Sequence, residues 1–127
     1  MQFTRKTLSR AKRAITCGPF TLKALRIMRV SSIDLTDISG DRGYQNAYTH
    51  SPVAELKAEK YLLWLIQVGV LRREVDGQGL TDSFRLTPLG RQLLDLWQTT
   101  QTLPKASMAT RLKNLFSRAF TLSFYFQ

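Results

Sequence analysis

The stretch Ser51 to Trp97 most constrains what this chain can fold into. Ser51-Pro52 joins a helix-capping hydroxyl to a proline pre-set for the first helical turn. The helix it starts is expected to run to Val68, with Gly69 supplying a left-handed C-cap. Its second half, Tyr61 to Ile66, is apolar nearly all round, so it should be buried on several sides and form the axis of the core. Val70 to Val75 then alternates loosely as a strand. Asp76-Gly77-Gln78-Gly79 holds turn residues able to take positive φ. Ser83 to Thr87 is the return strand, with Phe84 and Leu86 facing inward. Thr87-Pro88 repeats the cap-plus-proline device, and Leu89, Leu93, Leu96 and Trp97 mark the packed stripe of a further helix.

The segments before this stretch read as helices with a basic side. Thr4 can cap a helix to about Thr16, with Leu8, Ala11 and Ile15 at helical spacing and Lys6, Arg10 and Arg13 on another face. Gly18-Pro19 ends it. Thr21 starts a second helix to about Val30, with Leu22, Leu25 and Met28 on one side and Lys23, Arg26 and Arg29 on the other. Ile33, Leu35 and Ile38 fit a short strand feeding a brief helix that Asp34 or Thr36 could cap. Gly40 to His50, with two glycines and Asn46, reads as a loop.

The C-terminal part forms a separate amphipathic unit beyond Pro104. Met108, Leu112, Leu115, Phe116, Ala119 and Phe120 share one side of a helix. Asn114, Arg111, Ser117 and Arg118 share the other, and the chain closes on Leu122, Phe124, Tyr125 and Phe126. Leu112, Phe116, Phe120, Phe124 and Phe126 are therefore candidates for contact with a partner or a membrane surface. Packing on the rest of the chain, or a homodimer, accounts for the same pattern.

Charge placement divides the 127 residues more sharply than the net charge of +10 does. Residues 1–31 hold eight basic residues and no acid, and residues 102–127 hold four basic residues and no acid. Between them, seven basic residues meet nine acidic ones. The positive charge thus sits on the two ends, a footprint suited to phosphate. Candidate nucleic-acid contacts are Arg5, Lys6, Arg10, Lys12, Arg13, Lys23, Arg26 and Arg29, with Lys57, Lys60, Arg72, Arg73 and Arg85 in the middle.

Other function classes find little support. Hydrophobic content of 43% excludes wholesale disorder. The longest strongly apolar run, Tyr61 to Ile66, is far short of the roughly 20 residues of a membrane span. No signal-peptide pattern is expected, and a cytoplasmic location is the default. His50 has no second histidine and Cys17 no second cysteine, so neither a metal site nor a disulfide is expected. No paired carboxylates, phosphate-cradling glycine loop or nucleophile with a base stand out, so no catalytic residues, no cofactor and no small-molecule substrate are indicated.

The string Val70-Leu71-Arg72, a glycine-bearing turn, then Phe84-Arg85-Leu86-Thr87-Pro88-Leu89-Gly90-Arg91 resembles the wing of bacterial winged-helix regulators. The resemblance implies an α+β fold, mainly α with a small β-hairpin wing. It would be a winged helix-turn-helix domain over 19–101, with a basic N-terminal helix at 1–18 and a basic amphipathic helix with an aromatic tail at 104–127. Trp64 to Gly69 with Arg72 to Leu93 also resembles a family of small cyanobacterial proteins, which implies a source but no activity. In the usual docking mode the helix before the wing enters the major groove. Here its early residues are Val53, Ala54, Glu55, Lys57 and Lys60, with no arginine, asparagine or glutamine to read base edges. The expectation is a non-enzymatic nucleic-acid-binding or regulatory protein, gripping phosphate largely without regard to sequence. The alternative is a protein–protein adaptor or dimerising scaffold, with peripheral membrane contact through the C-terminal helix.

Overall fold

The computed structural model describes residues 3–98, 103–104, 110–115 and 117. Helix α1, Arg5–Cys17, begins where Thr4 accepts a hydrogen bond from the Thr7 amide, and it buries Ala11, Ala14 and Ile15. Gly18 closes it as the C-cap, extended at φ −85°, with its amide bonding the Ile15 carbonyl at 3.2 Å. Proline at the next position disfavours helical backbone at Gly18 and so turns the chain away. Helix α2, Leu22–Val30, is capped by Thr21, whose hydroxyl accepts from the Ala24 amide. Leu22, Ala24, Leu25 and Met28 are buried, in line with the predicted stripe.

Strand β1, Ile33–Asp34, feeds the short helix α3, Leu35–Ile38, as the spacing predicts. The region read as a loop contains helix α4, Gly40–Gln45. Its glycines looked like loop punctuation, yet Gly43 has a packing role: a Cβ there would run into the Ile38 carbonyl. Only glycine lets α4 approach α3 this closely.

Helix α5 spans Glu55–Gln67 and starts later than Ser51-Pro52 suggests. Val53 is buried, and its carbonyl accepts the Gly40 amide at 2.6 Å, so this short run bridges to Gly40 and stays outside the helix. The helix then begins at Ala54 without a side-chain cap. Leu62, Leu63, Trp64 and Leu65 are buried in succession, which makes this half the axis of the core as expected. Gly69, at φ +88°, turns the chain out of the helix.

Strands β2, Leu71–Asp76, and β3, Gly79–Leu86, form an antiparallel hairpin. The return strand is longer than Ser83 to Thr87 because pairing resumes at Asp76↔Gly79, past an irregularity between Arg73 and Val75. Strand β1 pairs with β3 on the other side, Ile33 opposite Phe84, giving the sheet order β1-β3-β2. Phe84 and Leu86 are buried beneath it. Helix α6, Pro88–Asp95, starts as predicted, with Thr87 accepting from the Gly90 amide and Pro88 in the first turn. The Thr87 hydroxyl also donates to the Gly69 carbonyl, tying both ends of the hairpin together. Leu89, Leu93, Leu94 and Trp97 are buried, but Leu96 is 62% exposed, against expectation. The helix ends at Asp95, so Leu96 leaves the stripe that Leu89 and Leu93 set.

One apolar core unites these elements: α1 contributes Ala11, Ala14 and Ile15 to the same cluster as α2, α5, the sheet and α6. The fold is therefore α+β, with a small three-stranded antiparallel sheet. Among the described residues no helix is long and apolar enough to cross a membrane.

The C-terminal segment 110–115 is helical but rotated relative to expectation. Asn114 is 5% exposed, whereas Leu112 and Leu115 are each 49% exposed. The cause is Trp64, whose buried indole N–H donates to the Asn114 side-chain oxygen at 3.0 Å. A buried donor left without an acceptor costs about 1–3 kcal/mol, enough to decide which side of a short segment faces in. Met108, Phe116, Ala119 and Phe120, with Leu122, Phe124, Tyr125 and Phe126, lie outside the residues whose side chains the structure describes.

Candidate nucleic-acid-binding surface

The cations fall into two groups, those held by the fold and those left to solvent. In the hairpin, Arg72 lies directly opposite Arg85, a like-charge pair that destabilises a sheet. Glu74 offsets it, accepting from Arg72 at 3.1 Å and from Arg85 at 3.2 Å. Arg85 also donates to the Val30 carbonyl at 3.3 Å. Arg73 pairs with Asp82 at 2.6 Å, donates to the Thr81 carbonyl and lies over the Phe84 ring, 5.2 Å from its centroid. The three guanidinium groups of the hairpin thus share two carboxylates within it.

The cations of α2 are engaged as well. Arg29 pairs with Asp95 at 2.7 Å, joining α2 to α6. Hydrogen bonding from Arg29, with a lesser contribution from Gln98, holds the Asp95 carboxyl below its ordinary range. Arg26 donates to the Trp97 and Gln98 carbonyls at 2.9 and 3.3 Å, satisfying acceptors just past the end of α6. Lys23 donates to the Asn46 carbonyl at 2.9 Å and sits 5.8 Å from the Tyr48 ring centroid.

Helix α1 is different. Arg5, Lys6, Arg10 and Lys12 are exposed and Arg13 is half-buried, and none forms an ion pair among the described residues. Its first turn has no acid to offset them. The helix lies along α5 in the opposite direction. Its end leads through Pro19, whose carbonyl accepts the His50 amide, to a bridge between Phe20 and Thr49 shortly before α5 begins. Arg10, midway along, lines a groove with Gln67, Val68 and Gly69 at the far end of α5.

On α5, Lys57 and Lys60 are exposed and likewise unpaired among the described residues. Trp64 continues their stripe at helical spacing. It is 1% exposed, and its indole is bonded to the C-terminal segment. Only the first two turns of α5 are therefore open. Arg111 and Lys113, two of the four cations counted over 102–127, are exposed on the segment that meets Trp64. What could not be foreseen is that Asn114 would turn inward, since its sequence neighbours place it on a polar face.

Of the remaining titratable groups, His50 is exposed and Cys17 is half-buried. Among the described residues no three of His, Cys, Asp or Glu come together in a way that could hold a metal ion. Among the described residues the arrangement offers exposed positive charge on α1 and at the start of α5.

Neither the curated proteins nor the solved structures contain a match to this chain. A family profile does match, over residues 1–118, and the chain belongs to the Npun_F0494-like family.

Proposed function

We propose that this chain is a non-enzymatic winged helix-turn-helix protein that binds the phosphate backbone of nucleic acid with little regard to sequence. The observation that carries the reading is the division of its cations. Arg5, Lys6, Arg10 and Lys12 of α1 and the lysines at the start of α5 face solvent unpaired among the described residues, whereas the cations of α2 and the hairpin are held internally. The order of elements supports the winged-helix assignment: α2, β1, the α3–α4 pair, α5 and then the hairpin, with sheet order β1-β3-β2. In this reading residues 19–101 form the domain, α1 is a basic extension packed onto it, and the protein works in the cytoplasm.

The module itself reads few bases. The open turns of α5 offer Glu55, Leu56, Lys57 and Lys60, and its second half is enclosed. Lysines at such positions contact phosphate as point charges and carry little base discrimination. Fluorescence anisotropy with a 20-base-pair duplex tests this. With some five to seven phosphate contacts, log affinity should fall with log salt at a slope of roughly −4 to −6, equally for scrambled sequences. Affinity that barely changes between low and moderate salt would defeat the proposal.

One observation favours a second reading, an adaptor or dimerising scaffold that also meets a membrane surface. Leu112 and Leu115 face outward beside the exposed Arg111 and Lys113. Deleting 104–127 distinguishes the two: lost dimerisation or lost liposome flotation, with DNA binding retained, favours the adaptor.

A further inference from the structure

A groove of about 340 Å³ lies between α1 and α6, and binding to a nucleic-acid backbone does not explain it. Leu8 and Leu93 line it from the core side, Phe3 and Leu96 flank it, and Arg5 and Lys12 supply its charge. Ser9 and Gln92 complete the lining, so among the described residues no acid faces the groove. Leu96, just past the end of α6, is the leucine that left the buried stripe, and its exposure of 62% contrasts with the buried Leu89, Leu93 and Leu94. A duplex backbone of sugars and phosphates has no alkyl chain to lay along Phe3, Leu8 and Leu96.

Charge and shape specify the complementary ligand. Arg5 and Lys12 are seven residues apart on α1, so they share one side of the helix, and neither is ion-paired among the described residues. Arg5 is also the first residue of a 13-residue helix whose first turn holds no acid. An anion beside it meets the positive end of the helix dipole as well as the guanidinium. The planar guanidinium suits a carboxylate, which it can hold through two parallel hydrogen bonds. The volume falls at the lower end of small-ligand sites, roughly 300–1,000 Å³, which suits a single medium-length chain better than a two-chain lipid.

We infer that the groove between α1 and α6 binds a medium-chain carboxylate, its apolar chain on Leu8, Leu93 and Leu96 and its head group at Arg5 and Lys12. The ligand then withdraws two cations from α1, so its binding opposes that of nucleic acid. The competition rests on the proposed nucleic-acid reading, whereas the ligand site stands apart from it.

Isothermal titration of decanoate, kept below its micelle concentration, into the full chain tests the site. One saturable site is expected. Arg5→Gln with Lys12→Gln should weaken it about tenfold or more, and Leu96→Asp, at an exposed position that leaves the melting curve intact, should abolish it. Absence of saturable binding, or binding that both variants leave unchanged, overturns the proposal. The competition is read separately: decanoate should weaken duplex binding several-fold in the wild type and not in Leu96→Asp, and an unchanged duplex affinity overturns it. Lys6→Gln with Arg13→Gln, outside the groove, should lower duplex affinity without touching decanoate. Decanoate binding with no duplex binding at all would remove the nucleic-acid reading and leave the ligand site standing.

Discussion

The hairpin and α1 are both rich in cations, and they use them in opposite ways. Each arginine of the hairpin that faces a neighbour has a carboxylate within reach: Glu74 serves Arg72 and Arg85, and Asp82 serves Arg73. Helix α1 has five cations and no acid in its whole length. A surface ion pair contributes only about 0–1 kcal/mol, so the hairpin gains little stability from its pairs. What it loses is external field, because each pair cancels at a distance longer than its own separation. The cations of α1 repel one another, and their only compensation is an anionic partner. Net charge is therefore a poor guide to a binding surface, and the pairing of each cation is a better one.

The largest expected effect comes from removing that contrast at α1. Replacing Arg5, Lys6, Arg10 and Lys12 by glutamine should lower duplex affinity roughly hundredfold at low salt and flatten the salt slope by about 3–4. Replacing Arg72, Arg73 and Arg85 should change the slope by less than about 1. Anisotropy titrations at four or five salt concentrations measure both. Equal effects from the two sets would erase the distinction.

Two substitutions examine how firmly the scaffold holds these surfaces apart. A Cβ at Gly90 would lie 2.6 Å from the Val70 carbonyl oxygen and 2.7 Å from Leu86, where α6 meets the hairpin. Gly90→Ala should destabilise the chain by about 2–3 kcal/mol in urea denaturation, the usual cost of overpacking. Asn114→Ala removes the acceptor of the buried Trp64 indole and should cost about 1–2 kcal/mol. A red shift in tryptophan emission would accompany it if water reaches Trp64. An unchanged spectrum and stability would mean that the segment 110–115 adds nothing to the fold.

How much of this was legible beforehand depended on how local the cause was. Thr4, Thr21 and Thr87-Pro88 start helices through bonds to residues three positions on, and these starts were readable. Phe84 and Leu86 were placed inward by alternation alone. The start at Ser51-Pro52 misled because a distant amide, that of Gly40, binds Val53 and holds it in a bridge ahead of the helix. Helix α4 was hidden because Gly43 fits a close approach that only the tertiary structure creates. At the candidate site, the list of cations was legible and their pairing was not. Arg29 meets Asp95 across 66 positions and Arg85 meets Val30 across 55, separations that no helical or strand period encodes. Asn114 turns inward for a tryptophan 50 positions away.

Glu74→Gln would push the hairpin toward the condition of α1. Arg72 and Arg85 would then face each other across the strands with no carboxylate between them. Stability should fall by about 1 kcal/mol or less, since Arg72 is half exposed and its pair is screened. Duplex affinity should rise, with the salt slope steeper by about 1, because freed cations become available to phosphate. A fall in affinity would mean that the hairpin arginines need Glu74 to hold them in a binding geometry.

The smallest effect is expected at the Arg29–Asp95 pair, which can be opened by pH rather than by mutation. Asp95 is ionised more readily in the folded chain than in the unfolded one, chiefly because Arg29 donates to it. A carboxyl with a depressed folded pKa binds fewer protons in the native state, so its contribution to stability is complete above the ordinary aspartate value of about 3.9. That contribution fades as pH falls through the folded value, where native Asp95 is finally protonated. The stability difference between the wild type and Asp95→Asn should therefore be constant from neutral pH to about pH 5 and shrink below it. Both groups are substantially exposed, at 40% and 45%, so added salt should shrink the same difference at neutral pH. A difference that grew on acidification would mean that Asp95 prefers its protonated form in the fold. Arg29 would then belong with the unpaired cations of α1 rather than with those the fold has already engaged.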